Sequence, residues 1–154
     1  MTVPMRHVCL FRVSDILMCL PIEQVQQVFE SAEVQFVPLA PPAVLGLVNL
    51  RGLVVTAIDL RTVLQLGPSE SSEVSNIVTT FPGRVVSLRV DEVISVEEVE
   101  PGPLRPPPQN LAPALQALAR GVLLTTEGIA LLADVDAIAL AMTARPNRQE
   151  GVSL

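Results

Sequence analysis

The stretch from Pro42 to Gly67, PAVLGLVNLRGLVVTAIDLRTVLQLG, constrains this chain more than any other. Two apolar, β-branched runs, Val44–Leu50 and Leu53–Ile58, flank the pair Arg51-Gly52. A helical signal follows from Asp59 to Leu66 and stops at Gly67. The first run has one polar residue, Asn49, and the second has one, Thr56. Strands that apolar are buried on both faces or pressed against a partner. The turn between them asks only for Gly, Asn or Asp, so the arginine at position 51 needs a reason of its own.

A chain of 154 residues suits one domain, or two very small barrels sharing a core. Apolar residues make up 49% of it, which raises the question of a membrane span. The two most apolar windows are both interrupted: Val37–Val48 holds three prolines, and Gly121–Ala133 is broken by Glu127 and Gly128. Neither approaches the roughly 20 uninterrupted apolar residues a spanning helix needs. The start, MTVPMRHVCLFRV, has no continuous apolar core of the signal-peptide kind. The expectation is a cytoplasmic protein, without membrane insertion, that hides apolar surface against other proteins. A net charge of −6, with scattered arginines and no Trp or Tyr, argues against phosphate-backbone binding and base stacking, so no nucleic-acid partner is expected.

Cys9 and Cys19 lie on the two arms of a hairpin whose tip is at Ser14-Asp15. A two-residue turn pairs Cys9 with Leu20 and sends the two thiols to opposite faces; a three-residue loop, Val13-Ser14-Asp15, sets them opposite each other. Both registers are open on sequence, with two buried thiols as the expectation in the absence of an export signal. His7 is the sole histidine. There is no Cys/His metal spacing, and a His7–Cys9 pair lacks a third group to orient it, so neither a metal, a cofactor nor a catalytic residue is expected. No phosphate-binding, dinucleotide, nucleophile-elbow, zincin or EF-hand motif occurs.

In chain order, Met1–Met5 is expected to be a frayed end, and Val8–Val13 with Ile16–Leu20 the first hairpin. Pro21 pre-sets a helical turn over IEQVQQVF, on which Val25 and Val28, with Phe29 beside them, share a face that serves either as core or as a docking surface. Val34–Val37 is a strand candidate, and Pro38–Pro42 a stiff connector. Pro68–Glu73 is a solvated acidic loop. Asn76–Phe81 and Arg84–Val90 pair about the turn Pro82-Gly83, the second alternating as a half-exposed strand should. Val93–Val96 is a short strand, and Glu97-Glu98-Val99-Glu100 a solvated acidic run. Six prolines between Pro101 and Pro113 forbid a helix there and leave an irregular or polyproline-like crossing, or a ligand for a proline-binding groove. Ala114–Ala119 carries a helical turn or two. Gly121–Thr126, the turn Glu127-Gly128 and Ile129–Ala133 form a closing hairpin, and Asp134 and Asp136 cap a helix over Val135–Met142. The polar residues Thr143–Leu154 are expected to be a disordered tail. About nine short strands with three helical pieces make a mostly-β protein, and strands so short favour closed barrels. The plan of hairpin into Asp-capped helix occurs at Asp59 and again at Asp134, which suggests two barrels.

The run PAVLGLVNLRGLVVTAIDLR closely resembles the core motif of the CheW-like domain, the adaptor of bacterial chemosensory arrays, at Pro42, Gly46, Asn49-Leu50-Arg51-Gly52 and Asp59-Leu60-Arg61. IEQVQQV, RVVSLRVDEVISVEEVEP and GVLLTTEGIALLADVDAI are similar to further parts of that domain, in order and spacing, so the resemblance spans residues 7–142. It implies two SH3-like five-stranded β-barrels packed on a shared hydrophobic seam, with short helices and no catalysis. It also implies two partners: the cytoplasmic tip of a methyl-accepting chemoreceptor, held in the groove between barrels, and the regulatory domain of a CheA-type histidine kinase, met by a barrel end. The partner-binding residues it implies are Val25, Gln27, Val28, Gly46, Asn49, Arg51 and Gly52. The family usually has an acidic residue where this chain has Gln27, so a salt bridge from that position to Arg51 is not open to it, and Ala133 replaces the leucine usual before Asp134. That departure motivates an alternative: a CheW-like modulator that binds receptor or a regulator without standard kinase coupling. A small β-barrel enzyme or ligand-binding domain is the third reading, and it needs a polar pocket of convergent ionisable groups. For Arg51 itself, the bland alternative is a structural arginine that ties down carbonyls at the seam.

Overall fold

The first hairpin shows how the chain is put together. In the computed structural model, which describes residues 2–3, 7–30, 33–67, 73–100 and 102–143, β2 (His7–Val13) and β3 (Ile16–Pro21) pair with Phe11 opposite Met18 and Leu10 opposite Cys19. Phe11, Val13, Met18 and Leu20 enter the largest apolar cluster, while Val8, Leu10, Leu17 and Cys19 enter a second one on the opposite face. Both faces are therefore dry, which is why the two strands read as nearly unbroken apolar runs. Val13 faces Ile16, so the turn has two residues; Cys9 lies opposite Leu20, the thiols point to opposite faces, and both are free and buried. Burial raises both thiols, Cys19 to about 12, where they stay protonated and inert.

The hairpin is preceded by β1 (Thr2–Val3) and followed by a single 3-10 turn (Ile22–Gln24), β4 (Gln27–Phe29), β5 (Val34–Gln35), β6 (Val44–Leu50) and β7 (Leu53–Asp59). The one-turn helix α1 (Leu60–Val63) leads to β8 (Ser75–Phe81), β9 (Arg84–Val90) and β10 (Glu92–Glu98). β11 (Gly102–Pro103), α2 (Pro113–Leu118), the hairpin β12 (Ala119–Thr125) with β13 (Gly128–Ala133), and α3 (Val135–Thr143) complete the order. Two sheets result, one of five strands in the order β10-β2-β3-β13-β12 and one of six in the order β4-β8-β9-β7-β6-β5. Neither order returns to its first strand, so both sheets are open among the described residues; the small pair β1-β11 stands apart.

Each sheet is nevertheless strongly curled. Phe29 on β4 and Val34 on β5, from opposite edges of the six-stranded sheet, pack on the same small cluster of Val48, Val55 and Ala57. In the five-stranded sheet the Thr126 N–H at the tip of β12–β13 donates to Glu97 Oε1 on β10 at 2.7 Å, again edge to edge. The largest cluster lies between the sheets and unites Phe11, Met18, Ile58, Leu60, Ile77 and Leu88 with α2 and α3, whose Leu118 and Ile138 are buried in it.

One polar strut crosses this seam. Arg61 Nε and Nη2 donate to Asp91 Oδ1 and Oδ2 at 2.8 and 2.7 Å, and Nη1 donates to the Gly67 carbonyl at 2.7 Å. The Ser14 N–H, at the β2–β3 turn, donates to Asp91 Oδ2 at 2.7 Å. The strut thus fastens the start of α1 on one sheet to the β2–β3 turn of the other. Both α1 and α3 begin as their sequences require: Asp59 Oδ1 accepts from the Arg61 N–H and Asp134 Oδ1 from the Ala137 N–H, each at 3.1 Å.

Several expectations need correction. IEQVQQVF is not a helical turn throughout: the 3-10 turn closes with the Val25 N–H donating to the Ile22 carbonyl, and from Gln26 onward the backbone pairs with β8. So short a helix gains little on its own, and an open strand edge offers β-branched residues a better partner. The strand after it covers only Val34–Gln35. β10 takes in Glu97 and Glu98. β9 is not half-exposed, since Ser87 is fully buried between β8 and β7 in the curled sheet. Thr2–Val3, placed in a frayed end, pairs with Gly102–Pro103. That proline-rich segment also seals the free edge of β12: the Val122 N–H donates to the Arg105 carbonyl at 2.9 Å, and a Cβ at Gly121 would lie 2.4 Å from that oxygen. Residues 68–72 of the acidic loop and 144–154 of the tail lie outside the described residues.

Candidate partner-binding surface

The Asn49–Gly52 turn explains part of its own sequence. Leu50 faces Leu53 across a two-residue turn in which Arg51 has φ 53° and Gly52 φ 92°. Positive φ at both central positions is the hairpin turn that fits the strand twist. Asn49 Oδ1 accepts from the Gly52 N–H at 2.8 Å and holds the turn closed. Gly52 is suited to its conformation; Arg51 is not, since a left-handed residue with a side chain is strained by about 1–2 kcal/mol. Arg51 is exposed and has no hydrogen-bond or ion-pair partner among the described residues. It does not tie down carbonyls; Arg61 does that, ten residues on, through Gly67.

The same hairpin carries apolar groups into solvent. Val54 lies opposite Asn49 and is 58% exposed; Leu53, opposite Leu50, is 51% exposed, and Leu47 is 38% exposed. The strands are therefore dry on one face only. Gly46 is buried beneath this surface: its φ is 146°, and a Cβ there would lie 2.1 Å from the Gln35 carbonyl oxygen, so glycine is what lets β5 approach β6.

The other candidate residues separate into two groups. Val28 lies opposite Ile77 and so shares the face turned to the central core, at whose margin it is 41% exposed; Val25 is half-buried and packs on that core. They mark the seam between the sheets. Gln27 lies on the other face of β4 with Phe29, and Phe29 packs on the cluster that Leu50 also joins. Gln27 is exposed, and no bond joins it to Arg51 among the described residues. The structure thus places Val25 and Val28 on the seam, and Gln27, Asn49, Arg51 and Gly52 around the curled six-stranded sheet.

Beside Val25 is a feature that no motif announced. A cleft of about 350 Å³ opens between the 3-10 turn, the end of β8, the start of β12 and the first turn of α3, lined by Gln24, Thr80, Arg120, Asp134, Val135 and Asp136. Four distant segments contribute to it, and only their folding brings the residues together.

Comparison with known proteins fits this architecture. Residues 7–141 match the CheW-like domain family. A chemotaxis protein CheW of Rhizobium meliloti (strain 1021) is 31% identical over 134 residues, 86% of each chain. A probable chemotaxis protein CheW of Rhizobium etli is 28% identical over the same length and coverage. The crystal structure of the scaffolding protein TtCheW from Thermoanaerobacter tengcongensis superposes with a TM-score of 0.73 at 22% identity, over 86% of this chain and 91% of that one. The mostly-β fold of two sheets with a few short helices is accordingly shared with that scaffold. The chain belongs to the CheW-like domain family, a family of chemotaxis scaffolds and adaptors and not of catalysts. No described helix is long and apolar enough to cross a membrane.

Proposed function

We propose that this chain is a non-enzymatic adaptor that couples methyl-accepting chemoreceptors to the regulatory domain of a CheA-type histidine kinase, in the cytoplasm at receptor arrays. Residues 7–142 act as one CheW-like domain, each curled sheet serving as a small SH3-like barrel. What supports the barrel reading is that opposite edge strands share a core in one sheet and a side-chain bond in the other. The observation that carries the functional reading is Arg51, exposed and left-handed at the tip of a hairpin whose Leu47, Leu53 and Val54 face solvent. Strain at a residue that Asn or Gly could replace is retained where the side chain has a task outside the chain. In this reading the receptor helices lie along the seam at Val25 and Val28, an apolar helix-in-groove contact. The hairpin with Gln27, Gly46, Asn49, Arg51 and Gly52 forms or supports the contact region shared by receptor and kinase.

The test is co-sedimentation with receptor-containing membranes and kinase. Val28→Asp is the better seam probe, because Val25 packs on the central core and a charge there would test folding as well. Arg51→Ala and Val28→Asp should each lower recovery of the chain in the pellet, with unchanged thermal melting. Full recovery of both variants would refute the coupling role. Gln27 favours a second reading, a modulator that binds receptor but not kinase, since this position lacks the acidic group usual in the family. Normal capture of the kinase by the wild-type chain would remove it.

A further inference from the structure

Proline chemistry dictates the shape of the segment that seals β12. Pro106, Pro107 and Pro108 each fix φ at about −65°, and the residue before each proline is pushed into the extended region. Arg105–Pro108 therefore follows a polyproline II path, a helix of about three residues per turn. Burial from Leu104 to Gln109 repeats with the same period: Leu104 and Pro107 are half-buried, while Arg105, Pro106, Pro108 and Gln109 are exposed. One edge of the helix thus faces the chain and two face solvent. The inner edge is fastened at several points. Leu104 packs on the second apolar cluster, and the Arg105 carbonyl accepts from the Val122 N–H at 2.9 Å. The Pro108 carbonyl accepts from Gln116 Nε2, and from the Leu111 N–H at 3.4 Å. The segment is held in one conformation before anything binds to it.

Sealing β12 uses the inner edge and leaves the outer chemistry unused. The Pro106 and Pro108 rings are exposed, and the Pro106 and Pro107 carbonyls accept no hydrogen bond among the described residues. Arg105 carries the sole charge between Glu100 and Arg120, and its exposed side chain has no partner among the described residues. A further strand cannot add there, because three consecutive prolines offer no N–H. We infer that Arg105–Gln109 is a docking ridge for a proline-reading partner, one with a groove of Trp or Tyr side chains and a carboxylate that meets Arg105. The aromatic faces stack on the proline rings, their N–H or O–H groups donate to the free carbonyls, and the carboxylate pairs with the guanidinium. The occupant is not a second copy: the chain has no Trp or Tyr, and of its four Phe residues Phe11 and Phe81 are buried. The ridge shares no residue with the seam or the Asn49–Gly52 hairpin, so the inference is independent of the coupling reading.

The experiment uses two probes, an isolated SH3 domain and an isolated WW domain, each titrated with the full chain at low and at physiological salt. Because the chain has no Trp, indole fluorescence reports on the probe alone. At least one probe should show a saturable change. The free peptide of residues 102–110 should bind that probe about threefold more weakly than the folded chain, since the peptide must be ordered on binding. Arg105→Glu should weaken binding about tenfold at low salt, and the loss should shrink as salt rises. Pro106→Ala should weaken it several-fold at either salt. Arg84→Glu, exposed at the start of β9, makes the same change in net charge and should bind as wild type. Both ridge variants keep Leu104, Pro107 and the Arg105 carbonyl, and should melt close to the wild-type chain. If neither probe binds the chain, or if the peptide binds and the folded chain does not, the ridge is not a docking site. If Arg84→Glu weakens binding as much as Arg105→Glu, or Pro106→Ala binds as wild type, the contact is unspecific charge attraction and the inference is overturned.

Discussion

Two arginines ten residues apart, Arg51 and Arg61, stand in similar sequence, N-L-R-G and D-L-R, and do opposite work. Arg61 sits in a helix with its side chain 15% exposed, held in a two-point pair by Asp91 and by the Gly67 carbonyl. Arg51 sits in a strained turn, exposed, with no partner among the described residues. One arginine is used up in joining the two sheets. The other is presented by a hairpin whose apolar residues also point outward. A side chain's type therefore says little until its partners are counted: the same guanidinium stabilises the fold where a carboxylate meets it and is available to a partner where none does.

The comparison can be broken most forcefully at the strut. Arg61→Ala leaves the Asp91 carboxylate half-buried, 19% exposed, without its main donor. Removing one member of a buried pair costs about 3–5 kcal/mol. The residual exposure here puts the expected loss at about 2–3 kcal/mol, or about 5–10 °C in Tm for a chain of this size. Asp91→Ala should cost a similar amount, and the double variant clearly less than the sum. Strict additivity in denaturant melts would show that the strut is not a coupled unit.

Acid should loosen the same strut. The Asp91 carboxyl is held below its ordinary value of 3.8, first by the side-chain hydrogen bonds from Arg61, with the Ser14 N–H and the Arg61 charge adding to this against the opposing effect of burial. A carboxyl depressed by folding contributes stability above its unfolded value and loses it as pH falls through the folded one. The stability advantage of the wild-type chain over Asp91→Asn should thus be constant from neutrality down to about pH 4 and shrink below it. An advantage that grew on acidification would contradict the geometry.

What sequence could foresee follows the range of the interactions involved. The four main hairpins, β2–β3, β6–β7, β8–β9 and β12–β13, are legible because apolar runs and two-residue turns are local. So are the caps at Asp59 and Asp134. The last hairpin, though, turns at Thr126-Glu127, one residue before the expected Glu127-Gly128, with Thr125 opposite Gly128. The segment Ile22–Phe29 has helical spacing yet pairs with β8 from Gln26 onward, because spacing alone cannot show that β8 presents an open edge beside it. The pairing of Thr2–Val3 with Gly102–Pro103 joins residues a hundred positions apart, and no local pattern encodes it. The residues proposed to face partners rest on the family motif alone, and that motif does not separate Val25 and Val28, at the seam, from the hairpin group. The cleft was invisible for the same reason as the strut: Gln24, Thr80, Arg120 and Asp136 mean nothing singly, just as Arg61 and Asp91 do not announce each other.

At Arg51 the expected effect on stability is the smallest, and its sign is reversed. Asn-Gly is the preferred pair for this turn, because asparagine tolerates the left-handed region that strains arginine. Arg51→Asn keeps a polar residue at an exposed position, disturbs no side-chain bond among the described residues, and should raise stability by about 0.5–1 kcal/mol, part of the strain being relieved. The same change removes the guanidinium from the hairpin tip, so capture by receptor and kinase should fall. A gain in melting temperature joined to a loss of binding is hard to obtain from a structural arginine, whose removal should lower both. A loss of stability with binding intact would give Arg51 the role of Arg61 and erase the contrast between them.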